Sequence, residues 1–91
     1  MRSVRLRITG RVQGVGYRAW AIETARRLGL RGWVRNRSDG SVEALVIGAD
    51  DAVAAMIAAC REGPRAAKIT EIAVGDAADD GSEGFTPRAT V

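Results

Sequence analysis

A chain of 91 residues, 46% hydrophobic and 27% charged, is long enough to fold as one domain (1–91) and too apolar to stay disordered. It has no histidine and a single cysteine, which excludes an internal disulfide, a zinc-ligand cluster and a nucleophile activated by histidine. The net charge of +3 is uneven: residues 1–40 hold ten arginines and two acids, which favours anionic ligands, although arginines that merely keep a surface soluble explain it at least as simply.

The N-terminal third is predicted to form a strand, a loop and a helix. Val4, Leu6 and Ile8 alternate with charged residues, which is typical of a half-buried strand and not of a signal peptide. After a glycine-rich stretch, apolar residues recur at helical spacing from Tyr17 to Leu28. No apolar run approaches the ~20 residues of a membrane span, so we expect a cytoplasmic protein without a membrane partner.

The middle of the chain is predicted to form a β-hairpin. Residues 32–36 and 41–48 have strand-like composition, and Asp39-Gly40 stands at the end of the turn between them. Ser38, Ser41 and Glu43 could tune a nearby site, but roles in the turn or on a solvated face fit them equally well.

A second helix and two further strands are predicted after the hairpin. Asp50 or Asp51 is expected to cap the helix, and Gly63-Pro64 to end it. Residues 67–74 are strand-like, although Ile69 is out of phase with the apolar residues that follow it. A polar loop (75–84) then precedes a short final strand (85–88), in which Pro87 is tolerable only at a sheet edge.

The element order β-α-β-β-α-β predicts the overall architecture. It is typical of an α+β, ferredoxin-like (split βαβ) sandwich, with a mainly antiparallel sheet and two helices on one face. Trp20, Met56 and Cys60 are assigned to the core between these layers.

The stretch GRVQGVGYR (10–18) lacks the residues that usually begin a helix. No Ser, Thr, Asp or Asn is present to cap the helix, and Arg18 is the first charge near an N-terminus that is itself partly positive. The glycines at 10, 14 and 16 let backbone N–H groups approach a ligand, so a bound anion would explain both features. A tight strand-to-helix turn with Arg18 facing solvent is the alternative.

Asn36 is the second unusual residue, because asparagine is disfavoured in strands and here closes one. It would help to initiate the following turn, or its carboxamide would hold a water molecule by donating and accepting together. The local sequence favours the turn, and it assigns Asp39 and Gly40 to turn chemistry as well.

These two stretches resemble the signatures of the acylphosphatase family: GRVQGVGYR (10–18) and GWVRNRSDGSVEAL (32–45). A weaker third region covers residues 63–74, and the resemblance runs from about residue 4 to residue 88 in one register. It implies a ferredoxin-like fold and the hydrolysis of acyl phosphates to a carboxylate and inorganic phosphate, without a metal or cofactor. Pro87 departs from the final strand that is usual in the family.

The resemblance also implies roles for individual residues. Arg18 would bind the phosphate, Asn36 would orient the attacking water, and Ser41 stands where the family has Thr or Ser. The phosphate cradle would be the backbone of Gln13, Gly14, Val15, Gly16 and Tyr17. The implied partners are an acyl phosphate and inorganic phosphate, with no nucleic acid, and a monomer is the default.

Two other classes of protein share parts of this pattern. An RNA recognition motif has the same element order, but its third strand carries aromatic residues, and residues 41–48 contain none. A non-catalytic anion-binding domain would keep the same loop, although Arg18 and Asn36 together argue against it. The sequence shows no pocket that would select the acyl group.

Overall fold

The computed structural model describes all 91 residues and contains five strands and two helices. The elements are β1 (Arg2–Arg11), α1 (Tyr17–Arg27), β2 (Arg31–Asn36), β3 (Val42–Gly48), α2 (Asp50–Glu62), β4 (Lys68–Asp76) and β5 (Phe85–Pro87). The strands form one sheet in the order β4-β1-β3-β2-β5, in which only the β2–β5 pair is parallel. The predicted ferredoxin-like α+β class is confirmed, and β5 lies at the sheet edge, where its proline is tolerated.

The main core lies between one face of the sheet and the two helices. Val4, Leu6 and Ile8 of β1 are fully buried there, as their alternation predicted. Met56 and Cys60 of α2 are also buried in this core, whereas Trp20 of α1 is only half-buried and packs against its border. Burying large apolar side chains contributes about 1.5–3 kcal/mol each, so this layer is the main source of stability.

A β-bulge explains the irregular alternation of β4. Thr9 pairs with Glu71 and Gly10 with Ile69. Thr70 is therefore the extra residue, which has no counterpart on β1 in the strand register. The extra residue brings Ile69 back to the face of Ile72, and both pack against the main core.

The same bulge determines the role of Gly10. Its φ is +124°, and a Cβ there would lie 2.1 Å from the carbonyl oxygen of Lys68. Gly10 therefore lies within β1 and serves the close approach of β4, which corrects its grouping with the ligand-facing glycines of the loop.

The other face of the sheet is covered by the acidic segment that contains Asp79 and Asp80. Trp33, Leu45 and Ile47 form a small buried cluster there, and the indole Nε1 of Trp33 donates to Asp80 Oδ2 at 3.2 Å. Arg31 forms an ion pair with Asp79 in the same segment. Acids of the second half of the chain thus neutralise part of the basic first half.

The ends of α2 differ partly from expectation. Its N-cap is Ala49 and makes no side-chain hydrogen bond, so the prediction that Asp50 or Asp51 caps the helix is wrong. Both aspartates lie instead in the first turn, where carboxylates stabilise the positive end of a helix. Gly63 ends the helix as predicted, with φ +66°. Neither helix has the length and apolar character needed to cross a membrane.

Candidate active site

The N-terminus of α1 carries donors that the protein itself does not use. Its N-cap is Gly16, with φ +79°, no side-chain cap and no acidic residue in the first turn. The first helical hydrogen bond runs from Trp20 N to Gly16 O, and the backbone N–H groups of residues 14–19 make no hydrogen bond within the protein. Such N–H groups, together with the helix dipole, form an anion-binding site.

The glycines of this loop are needed for their conformation. Gly14 and Gly16 have φ values of +73° and +79°, which favour glycine, while an added Cβ at either position would meet no atom within 4 Å. Both glycines are exposed, so the loop curls with its backbone open to solvent at these two positions.

Tyr17 anchors the start of α1 in the core. Its side chain is almost fully buried, and its hydroxyl donates to the carbonyl of Cys60 at 2.8 Å. Burial raises the pKa of Tyr17, and the neighbouring Cys60 raises it further, so the phenol stays protonated. Only the backbone of Tyr17 is available to a ligand.

A cleft at this end of the sheet brings the sequence-predicted residues together. It has a volume of about 320 Å³ and lies between α1 and the ends of β2 and β5. Arg18 and Asn36 both line it, although they are far apart in sequence. The complete lining is Val12, Gln13, Gly14, Gly16, Tyr17, Arg18, Ala19, Ile22, Asn36 and Pro87.

The cleft is electrostatically positive. Arg18 is exposed and forms no ion pair, and no carboxylate is among the lining residues. A guanidinium and a helix N-terminus therefore face the same space without a counter-charge from the protein. An anion with several oxygens, such as a phosphate, could accept from both at once.

Asn36 lines this cleft and has an unpaired polar atom. Its Oδ1 is buried and accepts no hydrogen bond. Buried side-chain oxygens are nearly always paired, and leaving one unpaired costs about 1–3 kcal/mol. The side chain takes no part in the hairpin turn, so the turn-initiating role that the local sequence favoured is not observed.

Asp39 performs the turn role instead. Its Oδ1 accepts from the backbone N–H and the hydroxyl of Ser41, at 2.9 and 2.6 Å. Ser41 and Glu43 do not line the cleft. The Ser41 hydroxyl donates to Asp39, and the Glu43 carboxylate accepts from Arg35. Of the neighbours singled out in the sequence, Asp39 and Ser41 therefore serve the turn.

The Gln13 side chain has a role that the sequence did not reveal. Its Nε2 donates to the carbonyls of Arg37 and Ser41, at 2.8 and 2.9 Å. The amide nitrogen therefore ties the loop before α1 to the turn that follows Asn36, and both of its N–H groups are used. No local pattern signals contacts between such distant residues.

Comparisons with known proteins agree with this geometry. Residues 4–87 match the family model described as Acylphosphatase. An acylphosphatase of Rhodospirillum rubrum is 48% identical over the full length of both chains, and one of Azoarcus sp. is 61% identical over 88% of this chain and 82% of its own. The crystal structure of acylphosphatase from Bacillus subtilis superposes with a TM-score of 0.93 at 36% identity, covering 97% of this chain and 99% of that one.

Proposed function

The chain belongs to the acylphosphatase family, whose members hydrolyse the carboxyl–phosphate bond, and on that premise we propose how its cleft performs the reaction. Arg18 and the backbone N–H groups from Gln13 to Tyr17 bind the phosphate, and Asn36 orients the attacking water. The substrate is an acyl phosphate, the products are a carboxylate and inorganic phosphate, and neither a metal nor a cofactor takes part. A cytoplasmic location and a monomeric state stay predictions.

The observation that carries the proposal is the unpaired Oδ1 of Asn36 beside the uncapped helix. A buried acceptor without a partner destabilises the protein unless a ligand uses it. A water held by the Asn36 carboxamide would lie beside a phosphate bound by Arg18 and the first turn of α1, since Asn36, Arg18 and Tyr17 line one cleft. Nucleophile and phosphorus would then meet without a further positioning group.

The chemistry requires little else from the protein. The leaving group is a carboxylate, whose conjugate acid has a pKa near ~4, so it departs without a general acid. Water forms a bond to phosphorus, the bond from phosphorus to the acyl oxygen breaks, and the carboxylate leaves with the electron pair. The proton of the water passes to a phosphate oxygen. Arg18 and the N–H groups stabilise the charge on the equatorial oxygens of the transition state.

The decisive experiment follows benzoyl phosphate hydrolysis in EDTA for the wild type, Arg18→Ala and Asn36→Ala. We expect Arg18→Ala to lower kcat/KM by roughly 10²–10³-fold, because one charge-stabilising donor is lost. Arg61→Ala is the matched control, since Arg61 is exposed on α2 and makes no ion pair. Equal losses in the two arginine variants would contradict the role of Arg18.

Asn36→Ala separates water positioning from phosphate binding. We expect kcat to fall by roughly 10²-fold, while inhibition by inorganic phosphate stays unchanged. Since the substitution also removes an unpaired buried oxygen, the urea midpoint should not decrease. An Asn36→Ala variant with a normal kcat would refute the role given to this residue.

A further inference from the structure

A second groove continues from the cleft along the outer face of α1. It has a volume of about 540 Å³ and shares Ala19 and Ile22 with the cleft. Glu23, Arg26 and Arg27 complete its lining. The groove therefore adjoins the cleft along one face of α1.

We propose that this groove binds the acyl group of the substrate and selects apolar, aromatic-sized acyl groups over acetyl. The inference rests on the proposed function, because it needs the phosphate to lie at Arg18. Ile22 is the residue that determines specificity, and Pro87 lies on the opposite side of the cleft.

The position of the attacking water determines the direction in which the acyl group leaves the cleft. In phosphoryl transfer the attacking and leaving oxygens lie roughly in line on opposite sides of phosphorus. With the water at Asn36, the acyl group points away from it. The remaining lining of the cleft away from the backbone donors is apolar and includes Ala19, Ile22 and Pro87.

The length of the acyl group determines whether it reaches Ile22. Ile22 follows Arg18 by four residues, which places it about 6 Å further along the helix axis. That span is comparable with the reach of a benzoyl group from its phosphate, whereas an acetyl group ends beside Ala19. We therefore expect the larger acyl group to make more contact with Ile22.

The walls of the cleft are held by contacts within the protein before substrate binds. Ile22 is half-buried and packs against the main core. Pro87 is held on β5 by its pairing with Val34, and Arg26 Nε donates to the carbonyl of Phe85 at 3.2 Å, which ties α1 to β5. A rigid apolar wall selects by contact area, because no ordering cost is paid on binding.

Charge at the far end of the groove does not favour an anionic acyl group. Arg26 already donates to Phe85, and the Glu23 carboxylate lies in the same lining as Arg27. The arginine stems present methylene groups to the groove, and long charged side chains commonly cover apolar surface in this way.

The test compares kcat/KM for benzoyl phosphate and acetyl phosphate, each divided by its uncatalysed rate. We expect the wild type to prefer benzoyl phosphate by roughly tenfold, the discrimination that a modest apolar contact provides. Ile22→Thr keeps a branched side chain but adds a hydroxyl, and should lower this preference severalfold. The loss in kcat/KM should be larger for benzoyl phosphate than for acetyl phosphate, because the larger acyl group makes more contact with Ile22.

Two further variants separate specificity from folding. Ile57→Thr is the matched control, because Ile57 is also half-buried against the main core but lies on α2, outside both lining sets. It should lose stability as Ile22→Thr does and keep the wild-type preference. Ile22→Leu restores the apolar surface and should restore the preference.

The outcomes distinguish this inference from the proposed function. If both substrates are hydrolysed but Ile22→Thr and Ile57→Thr have the same preference, the groove does not bind the acyl group and the proposed function stands. If neither substrate is hydrolysed, the proposed function fails and the inference fails with it. If succinyl phosphate is preferred to benzoyl phosphate and Arg26→Gln removes that preference, the groove selects an anion and the inference is overturned.

Discussion

Two neighbouring loops of this protein are built in opposite ways. The loop before α1 (12–16) leaves its backbone donors unpaired and ends at an uncapped helix. The turn between β2 and β3 (37–41) is closed by its own hydrogen bonds, from Arg37 N to Ser41 O and from Gly40 N to Arg37 O, and by the Asp39 side chain. The first leaves donors that a ligand could use, whereas the second uses its polar groups to hold its own shape.

The charges of the two loops follow the same division. Arg18 beside the open loop has no acidic partner, whereas Asp39 in the closed turn accepts from Arg7. Gln13 links the two, because it belongs to the open loop but donates both of its hydrogen bonds to the closed turn. The difference indicates that unpaired groups mark the site and paired groups support it.

Ala19→Glu would give the open loop the acid that it lacks, and we expect the largest effect here. The residue is exposed in the first helical turn, where a carboxylate stabilises a helix by about 0.3–1 kcal/mol. The same carboxylate would lie in the lining of the cleft and repel a phosphate. We expect kcat/KM for acetyl phosphate to fall by roughly ten- to a hundredfold while the urea midpoint without phosphate rises.

Ala54→Glu is the control for this substitution, because Ala54 is exposed in the middle of α2. It should change neither activity nor the additional stability that phosphate gives to the wild type. An Ala19→Glu variant that stays fully active would show that the helix N-terminus does not bind the phosphate.

Gln13→Leu would uncouple the two loops, with a smaller effect. Two hydrogen bonds are lost, but both acceptor carbonyls keep a backbone donor, so we expect the free energy of unfolding to fall by about 1–2 kcal/mol. Because Asn36 would move relative to the phosphate loop, kcat should fall by roughly tenfold and KM should change less. Steady-state kinetics with benzoyl phosphate and urea denaturation measure both.

A purely structural role for Gln13 predicts a different result. Ile57→Ala, which removes half-buried apolar surface from α2, should lose comparable or greater stability and keep the wild-type kcat. If Gln13→Leu behaves like this control, the link between the loops has no catalytic consequence.

Much of the fold follows from local patterns, and the exceptions depend on distant contacts. The alternation of Val4, Leu6 and Ile8 predicts β1 because each residue's face depends only on its neighbours along the strand. The phase of Ile69 was not interpretable from sequence, since it depends on a bulge opposite Gly10, nearly sixty residues away. The N-cap of α2 was misplaced because carboxylates favour both the cap and the first turn.

The site divides in the same way. Arg18 and the glycine loop stand out locally, because a helix without a cap is visible in the sequence. Asn36 was locally ambiguous, and its unpaired oxygen appears only once α1 is packed beside β2. The Gln13 bonds span 24 and 28 residues, and the cleft requires β5 next to α1, so neither has a local signal.

The smallest predicted effect concerns the closed turn and is seen only in acid. The Ser41 hydroxyl, the Ser41 backbone N–H and the Arg7 guanidinium lower the pKa of Asp39 to about 2. Since the folded pKa lies below the unfolded one, this stabilisation is complete above the unfolded pKa, near ~4, and is lost as pH falls through the folded value. Asp39→Asn keeps an acceptor oxygen but does not titrate. The difference in urea midpoint between wild type and variant should therefore be constant from about pH 7 to 5 and shrink as pH approaches ~2. Parallel midpoints across the whole range would mean that the Asp39 charge does not stabilise the turn.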